Sequence, residues 1–295
     1  MFNANFEASV GRPFRAFLDL MLELTSKEGM FTDQEIREEV DTIIVAGQDT
    51  SGATVLFNLL LLGTHQEKQQ KVYDEIQEIF ENSDRDVSKE DLKRLIYLDA
   101  TLKESMRLYP VVCVVARQAD RDIKLRPRLR APRPQWSFSR SGSKTSMDET
   151  NFMSNVHVIS TLVIVGNFPI EVVGRHVYLR QSTRLEDYTL PAGSSCVVSM
   201  WGLHRHERWG PDYDSFRPER WLDAGALPAH PAAFAAFAHG KRGCIGKNYA
   251  LMSMKTMIVH ILRRYRVFSD ITELKLKFGT LLKPVSGHLL KIEKR

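Results

Sequence analysis

From Phe31 to Gly63 the chain reads "FTDQEIREEVDTIIVAGQDTSGATVLFNLLLLG", with no proline. About 30 helical residues rise roughly 45 Å, so any fold must be organised around one long helix. Thr32 and Glu35 open it at the spacing at which each side chain can satisfy the other's backbone N–H. The helix is polar at first and apolar on nearly all sides later, which predicts a buried second half.

The neighbouring segments are also helical in pattern. Residues 13–25 read as a short amphipathic helix, and "QEKQQKVYDEIQEIF" carries Val72, Ile76, Ile79 and Phe80 on one face. Ser88 and Asp91 form a second capping pair. Leu92, Leu95, Ile96, Leu102 and Met106 then recur at helical spacing until Pro110 ends the run. From Val111 the texture is strand-like, "VVCVVARQADRDIKL". "DYTLPAGSSCVVSMWGLHRH" reads as a turn and a strand, followed by loops to Gly246, a helix through Tyr265 and short closing strands. The class expected is mainly α with small β-sheets, α+β.

Composition narrows the partners. Of the +5 net charge, six cations between Arg126 and Lys144 supply more than the whole, with no acid among them. A basic excess confined to one Arg-, Pro- and Ser-rich stretch does not make a nucleic-acid surface, and no nucleic-acid partner is expected. Residues 126–186 read as an atypical, disordered insertion. It includes the apolar "VHVISTLVIVG", for which no pairing strand is evident. It separates a helical part, 1–125, from 187–295. Three widely spaced cysteines, Cys113, Cys196 and Cys244, exclude a disulfide framework and fit a reducing compartment. The charged start and the short "NLLLLG" run predict no spanning helix and no membrane anchor.

Cys244 lies in "FAAFAHGKRGCIGKNYALMSMK", between glycines and two residues after Arg242. A helix begins just downstream. A helix N-terminus and cationic neighbours both lower a thiol pKa, so this cysteine can serve as a thiolate ligand; a buried structural cysteine is the competing reading. Gly240, Gly243 and Gly246 allow unusual dihedrals and close approach to a flat ligand. In "AGQDTS", Ala46–Ser51, an acid and a hydroxyl interrupt an apolar helix, which is costly unless they are satisfied. They read as a packed polar pair or as functional groups, with Thr50 able to bond back to a helix carbonyl. Glu104 and Arg107, at i and i+3 in "KESMRLYP", make an ordinary solvated ion pair by themselves.

Phe237, Gly240, Arg242, Cys244 and Gly246 stand at F-x-x-G-x-R-x-C-x-G, with Ala250 four residues on. The pattern resembles the haem-binding loop of the cytochrome P-450 monooxygenases of the eukaryotic microsomal type. The resemblance implies part of that fold and a b-type haem. Cys244 would be the axial thiolate on iron and Arg242 would hold a propionate. Arg117, seven residues after Pro110, matches a further propionate position. "AGQDTS" is similar to the family's oxygen-activating motif. Ala46 and Gly47 would leave room for dioxygen, while Asp49 and Thr50 would deliver protons. Because Ala46 stands where some relatives carry glutamate, no covalent haem link is expected. "KESMRLYP" and "FRPERW" resemble the family's E-x-x-R helix and P-E-R-F segment. The implied role of Glu104, Arg107 and Arg220 is a buried network that locks the loop before the cysteine.

By resemblance, one oxygen atom of O2 enters an apolar small molecule, with electrons from NADPH through a reductase, at the cytosolic face of the endoplasmic reticulum membrane. Against the family, the chain is expected to lack the anchor, the early strands and most substrate-recognition segments. The rival expectation is a truncated, non-catalytic product that at most binds haem.

Overall fold

The computed structural model describes residues 16–81, 83–124, 162–165, 189–285 and 289–295. The chain divides into two compact units, Met1–Gly52 and Ala53–Arg295. In the first unit, α1 (Phe17–Glu28) buries Met21 and exposes Phe17, Leu18, Leu20 and Leu22.

Helix α2 runs from Asp33 to Thr64. Its entry is the pairing legible in sequence: Thr32 N–H donates to Glu35 Oε2 at 2.8 Å, and Glu35 N–H to Thr32 Oγ1 at 3.3 Å. As expected, its second half is buried, with Phe57, Leu60 and Leu62 fully enclosed. By length and composition α2 is apolar enough to cross a membrane, a test that the core helix of a globular protein also passes. The burial of its second half in protein is what a core helix shows.

In the second unit, the end of α2 packs with α3 (Gln66–Phe80), α5 (Ile96–Leu108) and α7 (Lys247–Arg264). Leu61, Leu62, Val72, Ile76, Leu102 and Ile258 are at most 1% exposed in this core. Each buried aliphatic side chain of this kind contributes about 1.5–3 kcal/mol. A second apolar cluster joins Phe57 and Leu60 to Val111, Trp201 and Leu282.

The run of helical spacing from Leu92 to Met106 is not one helix. Helix α4 (Lys89–Arg94) stops and α5 begins after Leu95, whose φ and ψ are −76° and 73°. The break is stabilised from outside. The Glu75 carboxylate of α3 accepts the Tyr97 and Leu98 N–H groups at 2.7 and 2.9 Å. Lys255 Nζ of α7 donates to Leu92 O and Leu95 O, at 3.2 and 3.4 Å. It also pairs with Asp99 at 2.8 Å.

Strand β1 (Val114–Gln118) pairs antiparallel with β5 (Ser195–Ser199), placing Arg117 opposite Cys196. Of the 126–186 stretch only Leu162–Val165 is described. It forms β3, which adds antiparallel to β5; the expected disorder of the remainder lies outside the described residues. Strand β2 (Ile123–Lys124) pairs with β4 (Thr189–Leu190). The turn-and-strand reading of 187–206 misses helix α6 (Met200–His204), capped by Ser199. The chain closes with β6 (Tyr265–Phe268) paired to β9 (Lys291–Lys294), and β7 (Leu276–Phe278) to β8 (Leu282–Pro284).

Candidate functional site

Glu104 and Arg107, one turn apart on α5, are both fully buried rather than solvated. Arg107 Nε and Nη2 donate to Glu104 Oε2 and Oε1, each at 2.8 Å. Arg220 Nε reaches Oε1 at 2.9 Å, so the structure brings the three predicted network residues together. The spare guanidinium donors hold backbone. Arg107 Nη1 bonds His204 O and Tyr213 O at 2.9 and 2.5 Å, and Arg220 Nη1 bonds Trp209 O at 2.9 Å. Two buried cations face one buried carboxylate. Asp212, 3.3 Å from Arg220 Nη2, supplies the second negative charge. The Arg217 hydrogen bond, and then Arg220, hold its carboxyl below the usual range.

The segment after this network carries the cysteine. His204 is fully buried; its ring stacks on Phe234 at 5.3 Å, and Nε2 accepts the Ala235 N–H at 2.9 Å. Burial, reinforced by Arg107 and Arg205, pushes its pKa down to about 3, so the ring is neutral. Trp221 packs edge-on against Phe234 at 4.7 Å.

Next the chain turns sharply. Ala238 and Gly240 take left-handed φ of 55° and 77°, and for alanine this is a sparsely populated conformation. The loop is closed by Ala238 N–H to Ala235 O at 2.8 Å, Gly243 N–H to Gly240 O at 2.9 Å and Cys244 N–H to Phe237 O at 2.9 Å. The glycine expectation holds in part. Only Gly240 uses a special φ; a Cβ on Gly243 would come within 3.1 Å of Gly240 O, and Gly246 has ordinary dihedrals.

Cys244 is exposed, whereas Cys113 and Cys196 are buried. The structural-cysteine reading therefore fits those two and not Cys244. Burial pushes the Cys113 thiol up to about 12. Ile245 is 98% exposed beside Cys244. Phe237 and Ala250 pack against the main core from the other side of the loop. Arg117 and Arg242 are both exposed, and Arg117 Nη2 donates to Arg242 O at 3.4 Å. Helix α7 starts three residues after Cys244, with no acid in its first turn and no side-chain cap on Gly246. No Asp or Glu occurs between Asp223 and Asp270. Fixed positive charge and a helix N-terminus favour an anion here.

Residues 46–50 belong to the first unit. Ala46, Gly47 and Asp49 are exposed and Thr50 is half-buried. Thr50 Oγ1 donates back to Ala46 O at 2.6 Å, and the missing Cβ of Gly47 faces open space.

Among the described residues no group of three or more His, Cys, Asp or Glu is placed to hold a metal ion. A haem needs no cluster of protein ligands and can be held by one soft protein donor, because the macrocycle supplies four nitrogen ligands of its own. An exposed thiol, two exposed arginines for carboxylates and an exposed isoleucine for an apolar face fit that group. Sequence reasoning assigns no role to His204 or to the Trp221 indole. The one available signal is Trp at the place where the P-E-R-F motif has Phe.

A family profile described as Cytochrome P450 matches residues 4–129 and 170–292. Cytochrome P450 4V2 of Mus musculus is 34% identical over 284 residues, 95% of this chain and 43% of that protein. Its Homo sapiens counterpart is 32% identical over the same shares. Cytochrome P450 4g15 of Drosophila melanogaster is 31% identical over 282 residues, 95% of this chain and 39% of that protein. The chain thus spans less than half the length of these curated relatives.

Proposed function

The chain belongs to the cytochrome P450 family, and on that premise we propose that Cys244 would hold a b-type haem through its sulfur in a monooxygenase. The observation that carries the reading is an exposed cysteine in a backbone-closed loop, beside Arg242, Arg117 and the N-terminus of α7. When bound, the haem supplies oxygen activation: one atom of O2 enters an apolar small molecule, with electrons from NADPH through a reductase.

The chain's own residues have narrower tasks. Cys244 presents its sulfur beside the positive end of α7 and next to Arg242 in the loop. Arg242 and Arg117 bind the two carboxylates of the cofactor, and Phe237 and Ala250 back the loop from the core. Thr50 holds a proton at Oγ1, which in its present rotamer is directed at Ala46 O. Asp49, on the adjacent position of α2, relays that proton from solvent. Ala46 and Gly47 leave space beside them. Glu104, Arg107 and Arg220 fix the backbone of 204–215, on which the cysteine-bearing segment rests. The site would lie at the cytosolic face of the endoplasmic reticulum membrane.

The test is spectroscopic. Haem-loaded, reduced chain exposed to CO should show the long-wavelength Soret band of thiolate ligation. Cys244→Ala should lose it, and Cys113→Ala and Cys196→Ala should keep it. A band that survives Cys244→Ala overturns the assignment. Haem-thiolate binding without substrate oxidation would favour the non-catalytic rival.

A further inference from the structure

Glu104 Oε1 accepts from Arg107 Nη2, Arg220 Nε and the Arg217 N–H, whereas Oε2 accepts from only Arg107 Nε and Trp221 Nε1, the latter at 3.0 Å. Trp221 thus completes a fully buried carboxylate through an N–H donor that the phenyl ring of the P-E-R-F pattern lacks. The same ring meets Phe234 edge-on at 4.7 Å. From Phe234 the chain leads within three residues to Phe237, whose carbonyl holds the Cys244 N–H. Phe234 and Phe237 also pack against the main core. A cavity of about 270 Å³ lies between Trp221, Phe234, Phe237 and Leu251. The indole is therefore a directional tie between the charge network and the cysteine loop, in addition to that packing.

We propose that Trp221 is a positioning residue for the Cys244 loop, acting through the hydrogen bond from its indole N–H to Glu104. The consequence for ligation rests on the reading of Cys244 as the axial thiolate; the coupling itself does not.

Three measurements on the full chain test it. In the unaltered protein labelled with ¹⁵N-tryptophan, the Trp221 indole proton should exchange at least about tenfold more slowly than an exposed indole; exchange at the exposed rate overturns the proposal. Backbone hydrogen exchange across 234–246 should accelerate about tenfold in Trp221→Phe, as it does in Trp221→Leu, while α3 is unchanged. If the ring merely fills space, Trp221→Phe should exchange like the unaltered chain, and that result also overturns it. The third measurement is the CO spectrum of haem-loaded protein. A band that depends on Cys244, together with unchanged exchange in Trp221→Phe, rejects the coupling and keeps the ligand assignment. Faster exchange in Trp221→Phe, together with a band indifferent to Cys244→Ala, keeps the coupling and rejects the assignment.

Discussion

Glu104 and Cys244 depend on the same stretch of chain and end in opposite conditions. The carboxylate has no exposure and receives five hydrogen bonds, four from side-chain nitrogens and one from the Arg217 backbone. The thiol lies at the surface, and what holds its residue is a backbone bond to Phe237. The first is a finished structure in which every charge is answered from within the chain. The second is a presented group, held in place by backbone and open toward whatever binds. Stability should follow the first and ligand binding the second.

The hardest test of that division is Glu104→Ala. It strands two buried guanidinium groups and should cost about 3–5 kcal/mol, read as a collapse of the urea midpoint. Cys244→Ser should stay within about 0.5 kcal/mol in the same titration. A similar cost for both would erase the distinction.

The next effect depends on pH and lies between the two regions. Folded His204 titrates at about 3, below the value of about 6.5 expected for the unfolded chain. The unfolded state therefore takes up a proton that the folded state refuses. The associated stability is fully present above pH 6.5 and is lost as the pH falls toward 3, at up to about 1.4 kcal/mol per pH unit. Arg107 and Arg205 are the charged neighbours that keep the ring neutral. His204→Gln can still accept the Ala235 N–H and should remove this component. Parallel acid titrations of the two proteins, followed by urea melts, would show the curves separating as the pH falls, with the unaltered protein losing stability the faster.

The smallest change in stability is expected for the double variant Arg117→Leu with Arg242→Leu. Both side chains are exposed, so unfolding should move by no more than about 0.5 kcal/mol. Haem transfer to an apo-acceptor should nonetheless run about tenfold faster, because charge-assisted hydrogen bonds to the carboxylates are gone. Unaltered transfer would show that the arginines do not hold the group.

Features set by neighbours along the chain are legible in the sequence. The pairs Thr32–Glu35 and Ser88–Asp91 cap helices as their spacing predicts, and the cysteine loop closes over its own short span. Features set by distant side chains are not legible there. Apolar spacing runs straight through Leu95, and nothing local announces that Glu75 and Lys255 divide the helix at that point. By themselves Glu104 and Arg107 read as a surface pair, and only the family resemblance implies their burial, because it depends on Arg220, Trp209 and His204 arriving from elsewhere. Strand β3 is visible as a β-branched run, but its partner β5 lies some thirty residues further along, across the insertion.

The divided helix at Leu95 also imposes an order in time. The Ser88–Asp91 cap spans three residues and can form as soon as that segment exists. Glu75 is 22 residues before Tyr97, so the start of α5 is specified soon afterwards. Lys255 follows Leu95 by 160 residues, and closing a loop of that size is slow relative to local contacts. Until α7 has been made and docked, the Leu92 carbonyl has water or a continued helical turn to bond, and Leu95 O has the Asp99 N–H but lacks its second donor. The junction ahead of Glu104 is thus among the last parts of the chain to settle, and it settles only when the helix that follows Cys244 is in place.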